Sequence, residues 1–251
     1  MSRGSEWGRW DLHVHTKSTA KNDQFGSISF EDYCIQLFKK ALERDIKTIG
    51  ITDYFSIENY KKVKKFQDEI NDQAQFNDDE KKLISKILIL PNMELRISPS
   101  TGAGSLINLH LIFNPSKIEA IENQILNHIQ MVHGNGNKYQ LNEYGLKSLG
   151  RLYLSEDQLN DQNLALKKGV EQFCIPHTEL IEVFEANNNL RSEILVFVAN
   201  GDNDGVSGLK SHEEILQQQQ ASAFSLRNSI YQLTDGLFSA KPSDHKYFLG
   251  H

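Results

Sequence analysis

Cysteine is scarce in this chain of 251 residues, which contains only Cys34 and Cys174. Because neither belongs to a CxxC pair, the sequence gives no sign of a disulfide framework or of a cysteine-based zinc motif. Both cysteines lie in or beside apolar patterns, and we expect them to be core thiols, as free cysteines usually are.

Long apolar runs are also missing. No apolar segment approaches the roughly 20 residues that span a bilayer. The N-terminus is polar and lacks the apolar segment that a secretory signal requires. Excess positive charge is absent too: the formal net charge is −6 with a pI near 5.9. These properties predict a cytoplasmic protein without a membrane partner, and they argue against a broad, non-specific nucleic-acid surface.

Hydrophobic residues (39%) and charged residues (24%) occur in proportions that permit a real core. Strand-like and helix-like segments alternate, which favours an α/β fold with a parallel sheet or barrel in one domain over residues 1–251. The predicted strands are residues 10–14, 48–52, 84–90, 106–113, 180–185 and 193–199. The predicted helices are residues 29–44, 59–70, 117–132, 155–169 and 213–233, with Ser29 or Ser27 as the cap of the first.

The most informative stretch is Asp11-Leu12-His13-Val14-His15-Thr16. Residues two apart on a strand point to the same side, so the imidazoles of His13 and His15 can converge on one metal ion. An HxH pair alone is equally compatible with packing. The pair gains weight because further ligand-type residues lie at or near the ends of later predicted strands.

These further residues are Asp53, Glu94 and His110. Each lies in or shortly after a different predicted strand. Taken singly, Asp53 could cap a helix, Glu94 could lie in a surface turn after Pro91, and His110 could be a buried core histidine. Taken in order, they favour a metal site, because the carboxyl ends of parallel strands meet at one edge. Imidazoles with carboxylates suit Zn²⁺, Mn²⁺ or Fe²⁺, and a bridged pair of such ions supports hydrolysis at phosphorus.

This ordered series resembles the polymerase-and-histidinol-phosphatase (PHP) domain. The stretches at residues 4–16, 51–57, 94–96, 108–113, 200–208 and 238–244 further resemble the N-terminal PHP module of TrlF-type proteins, which precedes a large AAA/SMC-like ATPase. The resemblance implies a distorted (β/α)7 barrel that binds two or three divalent metals and hydrolyses phosphoesters. It also implies that the chain is truncated near its C-terminal strands, as the N-terminal part of a longer protein.

The resemblance assigns roles by position. His13 and His15 would ligate one metal, Glu94 would bridge two, and His110 would be a further ligand. Asp11 would orient a ligand histidine, and Asp53 matches the motif's aspartate. We take Asp53 and His15 as the candidate catalytic residues.

Two departures from the family pattern stand out. Tyr54 occupies the position after the motif aspartate, where the family usually has histidine, and the TrlF-like branch shares this tyrosine. The late Asp-x-His motif is not found, because Ser243-Asp244-His245-Lys246 has the wrong spacing. These departures support an alternative: a degenerate PHP barrel with a structural, regulatory or binding role. A third alternative is an α/β barrel without a metal.

Three weaker candidates remain. His177 follows Pro176 as in the family's mid-barrel histidine motif. Asp202 and Asp204 lie in a Gly-rich loop that begins like an EF-hand but lacks the glutamate at its twelfth position, so a loop at a barrel mouth is favoured over a calcium site.

The sequence therefore predicts a metal-dependent phosphoesterase. By resemblance its phosphoester substrate could be nucleic acid, an ATPase domain could follow downstream, and the protein could act against phage. A barrel that lacks its last strand would expose two open edges, which favours association into an oligomer.

Overall fold

The computed structural model of the protein describes residues 7–21, 23–201, 203–209 and 220–239. The strands are β1 (Arg9–His15), β2 (Ile46–Tyr54), β3 (Leu88–Ser98), β4 (Ile107–Phe113), β5 (Gln130–Val132), β6 (Lys138–Gln140), β7 (Ile175–Pro176), β8 (Ile194–Ala199) and β9 (Gly236–Phe238). The α-helices are α1 (Phe30–Glu43), α2 (Glu58–Asp68), α3 (Asp78–Ile84), α4 (Ile118–Gln124), α5 (Glu143–Arg151), α6 (Gln162–Gln172), α7 (His177–Ala186), α8 (Asn188–Arg191) and α9 (Gln220–Leu233).

The main sheet has the strand order β1-β2-β3-β4-β8-β9, and β7 pairs with β3. The β1–β2, β3–β7 and β8–β9 pairs are parallel, whereas β5 and β6 form a separate antiparallel hairpin. The predicted mixed α/β class is thus confirmed. Closure into a distorted (β/α)7 barrel stays a prediction.

The chain divides into two compact units, residues 1–93 with 112–116 and residues 94–111 with 117–251. The single domain expected over residues 1–251 stays a prediction. In the first unit, Ser29 caps α1 as predicted, because its hydroxyl accepts a hydrogen bond from the Asp32 backbone N–H at 3.0 Å. Cys34 is fully buried on α1, and Phe38 of the same helix stacks on Phe66 of α2 with ring centroids 5.9 Å apart. These contacts fix α1 and α2 against each other beside β2.

The second unit contains a pair of helices that pack through glycines. A Cβ atom at Gly150 of α5 would lie 1.9 Å from the carbonyl oxygen of Ala165, and one at Gly169 of α6 would lie 1.9 Å from that of Leu146. Only glycine lets these two helix backbones approach so closely, because the obstructing atoms belong to the main chain.

Gly150→Ala is therefore expected to lower the free energy of unfolding by roughly 2 kcal/mol or more, within the usual cost of overpacking. Urea denaturation measures the change. Gly134→Ala is the matched control, because an added Cβ there meets nothing within 4 Å. Equal stabilities of the two variants would contradict the close helix contact.

Several predicted elements were wrong. Residues 180–185 are not a strand but part of α7, whose buried Leu180, Val183 and Phe184 follow helical spacing. The helix expected over residues 117–132 is α4 followed by a 3₁₀ turn and β5, and that over 155–169 is a 3₁₀ turn followed by α6. The sequence analysis also missed six elements, namely α3, α5, α8, β6, β7 and β9.

The third predicted strand was misplaced. Residue 84 ends α3, and β3 runs from Leu88 through Pro91 to Ser98. Proline was expected to close the strand because it cannot donate to a ladder, but the strand continues for seven residues beyond it. Glu94 consequently lies inside β3 rather than in a turn after it.

Candidate metal centre

Strand β1 brings His13 and His15 together. Their Nε2 atoms are 3.1 Å apart, and their rings meet edge to face with centroids 4.9 Å apart. Zinc–imidazole bonds are about 2.0–2.1 Å long, so two nitrogens bound to one ion at angles of about 90–110° are separated by about 2.9–3.4 Å. The separation of the two nitrogens therefore fits joint ligation of one divalent ion.

Glu94 of β3 and His110 of β4 supply buried ligand groups. Glu94 is 3% exposed and His110 is 4% exposed. The His110 ring meets the ring of Phe238 edge to face, with centroids 4.7 Å apart, which helps to fix its orientation. A ligand atom of Glu94 and one of His110 lie within 4.8 Å of each other. The structure thus brings the four proposed metal ligands together as two pairs, His13 with His15 and Glu94 with His110.

Asp53 is part of β2 and does not cap a helix. The Thr16 hydroxyl donates to its Oδ1 at 2.9 Å, and the Asn59 amide donates to Thr16 Oγ1 at 2.9 Å. Burial raises the pKa of Asp53 to about 6, although the bond from Thr16 and the positive charge of Lys62 oppose the rise. Its Oδ2 atom is buried without a hydrogen-bond partner among the described residues. A buried carboxylate of this kind suits a neighbouring positive charge.

Tyr54, which replaces the family's usual histidine, stacks on His15. The ring centroids are 5.1 Å apart with an interplanar angle of 19°. Lys21 lies over the Tyr54 ring with its ammonium 5.8 Å from the centroid. Tyr54 is 8% exposed, so its buried ring packs against one face of the His15 imidazole.

A second tyrosine supports His15 through the backbone. The hydroxyl of Tyr33, on α1, donates to the carbonyl oxygen of His15 at 3.1 Å. The sequence analysis assigned Tyr33 no role, because no local pattern shows that its hydroxyl reaches β1, 18 residues away along the chain.

The remaining candidates make other contacts. Asp11 accepts a 3.4 Å hydrogen bond from the His13 backbone N–H. His177 begins α7, its Nδ1 lies 3.2 Å from the Ser98 carbonyl oxygen, and burial lowers its pKa. Among the described residues, His177 joins neither of the two ligand pairs.

The carboxylate of Asp204 accepts from the Asn108 amide at 3.2 Å, and its backbone oxygen accepts from the Asn108 N–H at 2.9 Å. These bonds attach the loop to the beginning of β4. Asp202 and the stretch at residues 243–246 lie outside the described residues.

Comparisons with known proteins do not assign this chain to a family. No family model matches the sequence, and no curated protein matches it significantly. A crystal structure of a candidate metal-dependent phosphoesterase from Bifidobacterium adolescentis is similar over 97% of this chain and 82% of that one, with a TM-score of 0.41 and 11% identity. A similarity this low transfers no activity to the present chain. Within the described residues, no helix has the length and apolarity needed to cross a membrane.

Proposed function

We propose that this chain is a metal-dependent phosphoesterase of the PHP type. His13, His15, Glu94 and His110 would hold one or more divalent ions, with Zn²⁺, Mn²⁺ or Fe²⁺ as the candidates. The observation that carries the proposal is the 3.1 Å approach of the two Nε2 atoms of His13 and His15. The buried pair of Glu94 and His110, with ligand atoms within 4.8 Å of each other, adds a second set of ligand groups.

The chemistry of the ligand set fits hydrolysis. A divalent ion bound here would supply Lewis acidity and a nucleophile at neutral pH. The two histidines must be neutral to bind it, and Glu94 adds a buried negative charge that attracts it. The buried carboxylate of Asp53, ordered by Thr16, is our candidate for holding a proton during the reaction.

Two finer parts of the proposal, a nucleic-acid substrate and a downstream ATPase domain of TrlF type, rest on the sequence resemblance. The proposed cytoplasmic location rests on the composition of the sequence, and the proposed self-association rests on the expectation of open sheet edges. The net charge of −6 favours a local rather than an extensive contact with a polyanionic substrate.

Tyr54 favours a second candidate function. Its ring is buried against His15 at the position where the family usually has a ligand histidine. A phenol is a poor metal ligand at neutral pH, so the arrangement also suits a degenerate PHP module that binds a partner or nucleotide and hydrolyses nothing.

Elemental analysis of the purified chain, prepared without chelator, tests the metal site. We expect stoichiometric zinc, manganese or iron in the wild type and its loss in His13→Ala, because one imidazole of the converging pair is removed. His133→Ala is the matched control, since His133 pairs with Tyr153 at 2.8 Å and belongs to no predicted ligand set.

Two results would count against the proposal. A folded wild type without metal would contradict the metal site itself. Metal retained by the wild type without hydrolysis of any phosphodiester or phosphomonoester probe would favour the degenerate module over the enzyme.

A further inference from the structure

Strand β1 is irregular where its histidines lie. In the parallel pairing with β2, Asp11 lies opposite Ile49 and Val14 lies opposite Ile51. Two residues of β1, Leu12 and His13, therefore face the single residue Gly50 of β2. Such a bulge changes the direction of side chains locally and is common beside functional sites.

Gly50 makes the bulge sterically feasible. A Cβ atom at this position would lie 2.3 Å from the Leu12 carbonyl oxygen and 2.7 Å from the carbonyl carbon. Both obstructing atoms are backbone and cannot rotate away, so any larger residue at position 50 would push the bulge outward.

Asn92 holds the same carbonyl group from the other side of β2. Its Nδ2 donates to the Leu12 oxygen at 2.7 Å and to Thr52 Oγ1 at 3.0 Å. The Thr52 hydroxyl in turn donates to the Gly50 carbonyl oxygen at 3.3 Å. Asn92 is 1% exposed, so its amide is a buried donor that links β3 to β1 and β2 through hydrogen bonds.

We infer that Asn92 is a positioning residue for the histidine pair: it holds the Leu12 carbonyl and thereby keeps the bulge that sets the His13–His15 approach. The inference rests on the proposed function insofar as the pair binds metal. Groups that orient the ligands of a metal site commonly change its affinity by about 10- to 100-fold when they are removed.

The test compares three proteins: the wild type, Asn92→Leu and Asn77→Ala. Leucine has nearly the shape of asparagine but cannot donate to Leu12. Asn77 caps α3 through a capping box in the same unit, so its removal lowers stability without touching β1. The measurements are the zinc dissociation constant, by competition with a chromophoric chelator, and the imidazole ¹⁵N spectra of the metal-free proteins.

We expect Asn92→Leu to weaken zinc binding by about 10-fold or more and to shift the imidazole signals of His13 and His15. Asn77→Ala should change neither. Wild-type zinc affinity together with wild-type imidazole signals in Asn92→Leu would overturn the inference.

Two other outcomes are also decisive. If the wild type binds no zinc, the proposed function fails, and the imidazole spectra alone decide the positioning role: a shift supports it and no shift overturns it. If Asn92→Leu does not fold, Thr52→Val replaces it, because it removes one of the two acceptors of the Asn92 amide. Weaker zinc binding in that variant supports the inference, and unchanged binding overturns it.

Discussion

Replacement of Glu94 by glutamine is expected to lower the kcat/KM of phosphoester hydrolysis by at least about 10²-fold and by as much as about 10³-fold, the usual cost of removing one group that stabilises charge at a reacting centre. Glutamine keeps the size of the side chain and removes its negative charge. Because Glu94 is 3% exposed and lies beside His110, solvent cannot replace that charge.

The experiment measures hydrolysis of a phosphodiester probe together with metal content. Glu119→Gln is the matched control, since Glu119 lies in the first turn of α4 and belongs to no candidate site. If Glu94→Gln retained both full metal content and full activity, Glu94 would have no part in the centre. Loss of activity with metal retained would instead indicate that Glu94 acts on the substrate rather than as an essential ligand.

Asp53 is expected to make the metal-free protein less stable as the pH rises from about 4 to 7. Its pKa in the folded protein is about 6, above the ordinary value of 3.8, because burial disfavours the ionised form. The folded state therefore holds this proton more tightly than the unfolded state does. A difference of about two pKa units corresponds to about 3 kcal/mol of unfolding free energy.

The pH window follows from the two pKa values. Below about pH 4 the carboxyl is protonated in both states, and burial costs little. Between pH 4 and 6 the unfolded chain ionises first, so stability falls. Above about pH 6 the folded carboxyl is ionised as well, and the full cost remains.

Asp53→Asn should remove this part of the pH dependence. Asparagine can still accept the bond from Thr16, so above pH 6 the metal-free variant should be more stable than the wild type by up to about 3 kcal/mol. Urea denaturation in EDTA at several pH values measures the difference between the two curves. Asp157→Asn, at an exposed position, is the control. Parallel curves for Asp53→Asn and the wild type would show that Asp53 titrates normally.

Residue spacing alone predicted which side chains to consider for the candidate centre. An HxH pair must point to one side of a strand, and ligand-type residues on successive strands of an α/β fold tend to meet. His13 does approach His15, and Glu94 does approach His110, while their role as metal ligands stays a prediction. The helix capped by Ser29 lies where its apolar period placed it.

Long-range contacts decided what spacing could not. The apolar run at residues 180–185 suits either a strand or a buried helix, and only its packing made it α7. Pro91 was an unreliable stop signal, because β3 continues through it. The bond from Asn92 to Leu12 joins residues 80 positions apart, and no local pattern encodes it.

The sequence by itself determined which side chains could bind a metal, because the chemistry of imidazole and carboxylate is fixed by residue type. The tertiary structure decided how those groups meet. The bulge opposite Gly50, the amide of Asn92 and the ring of Tyr54 set the position of the histidine pair, and each acts through atoms that become neighbours only when strands distant in sequence are packed together.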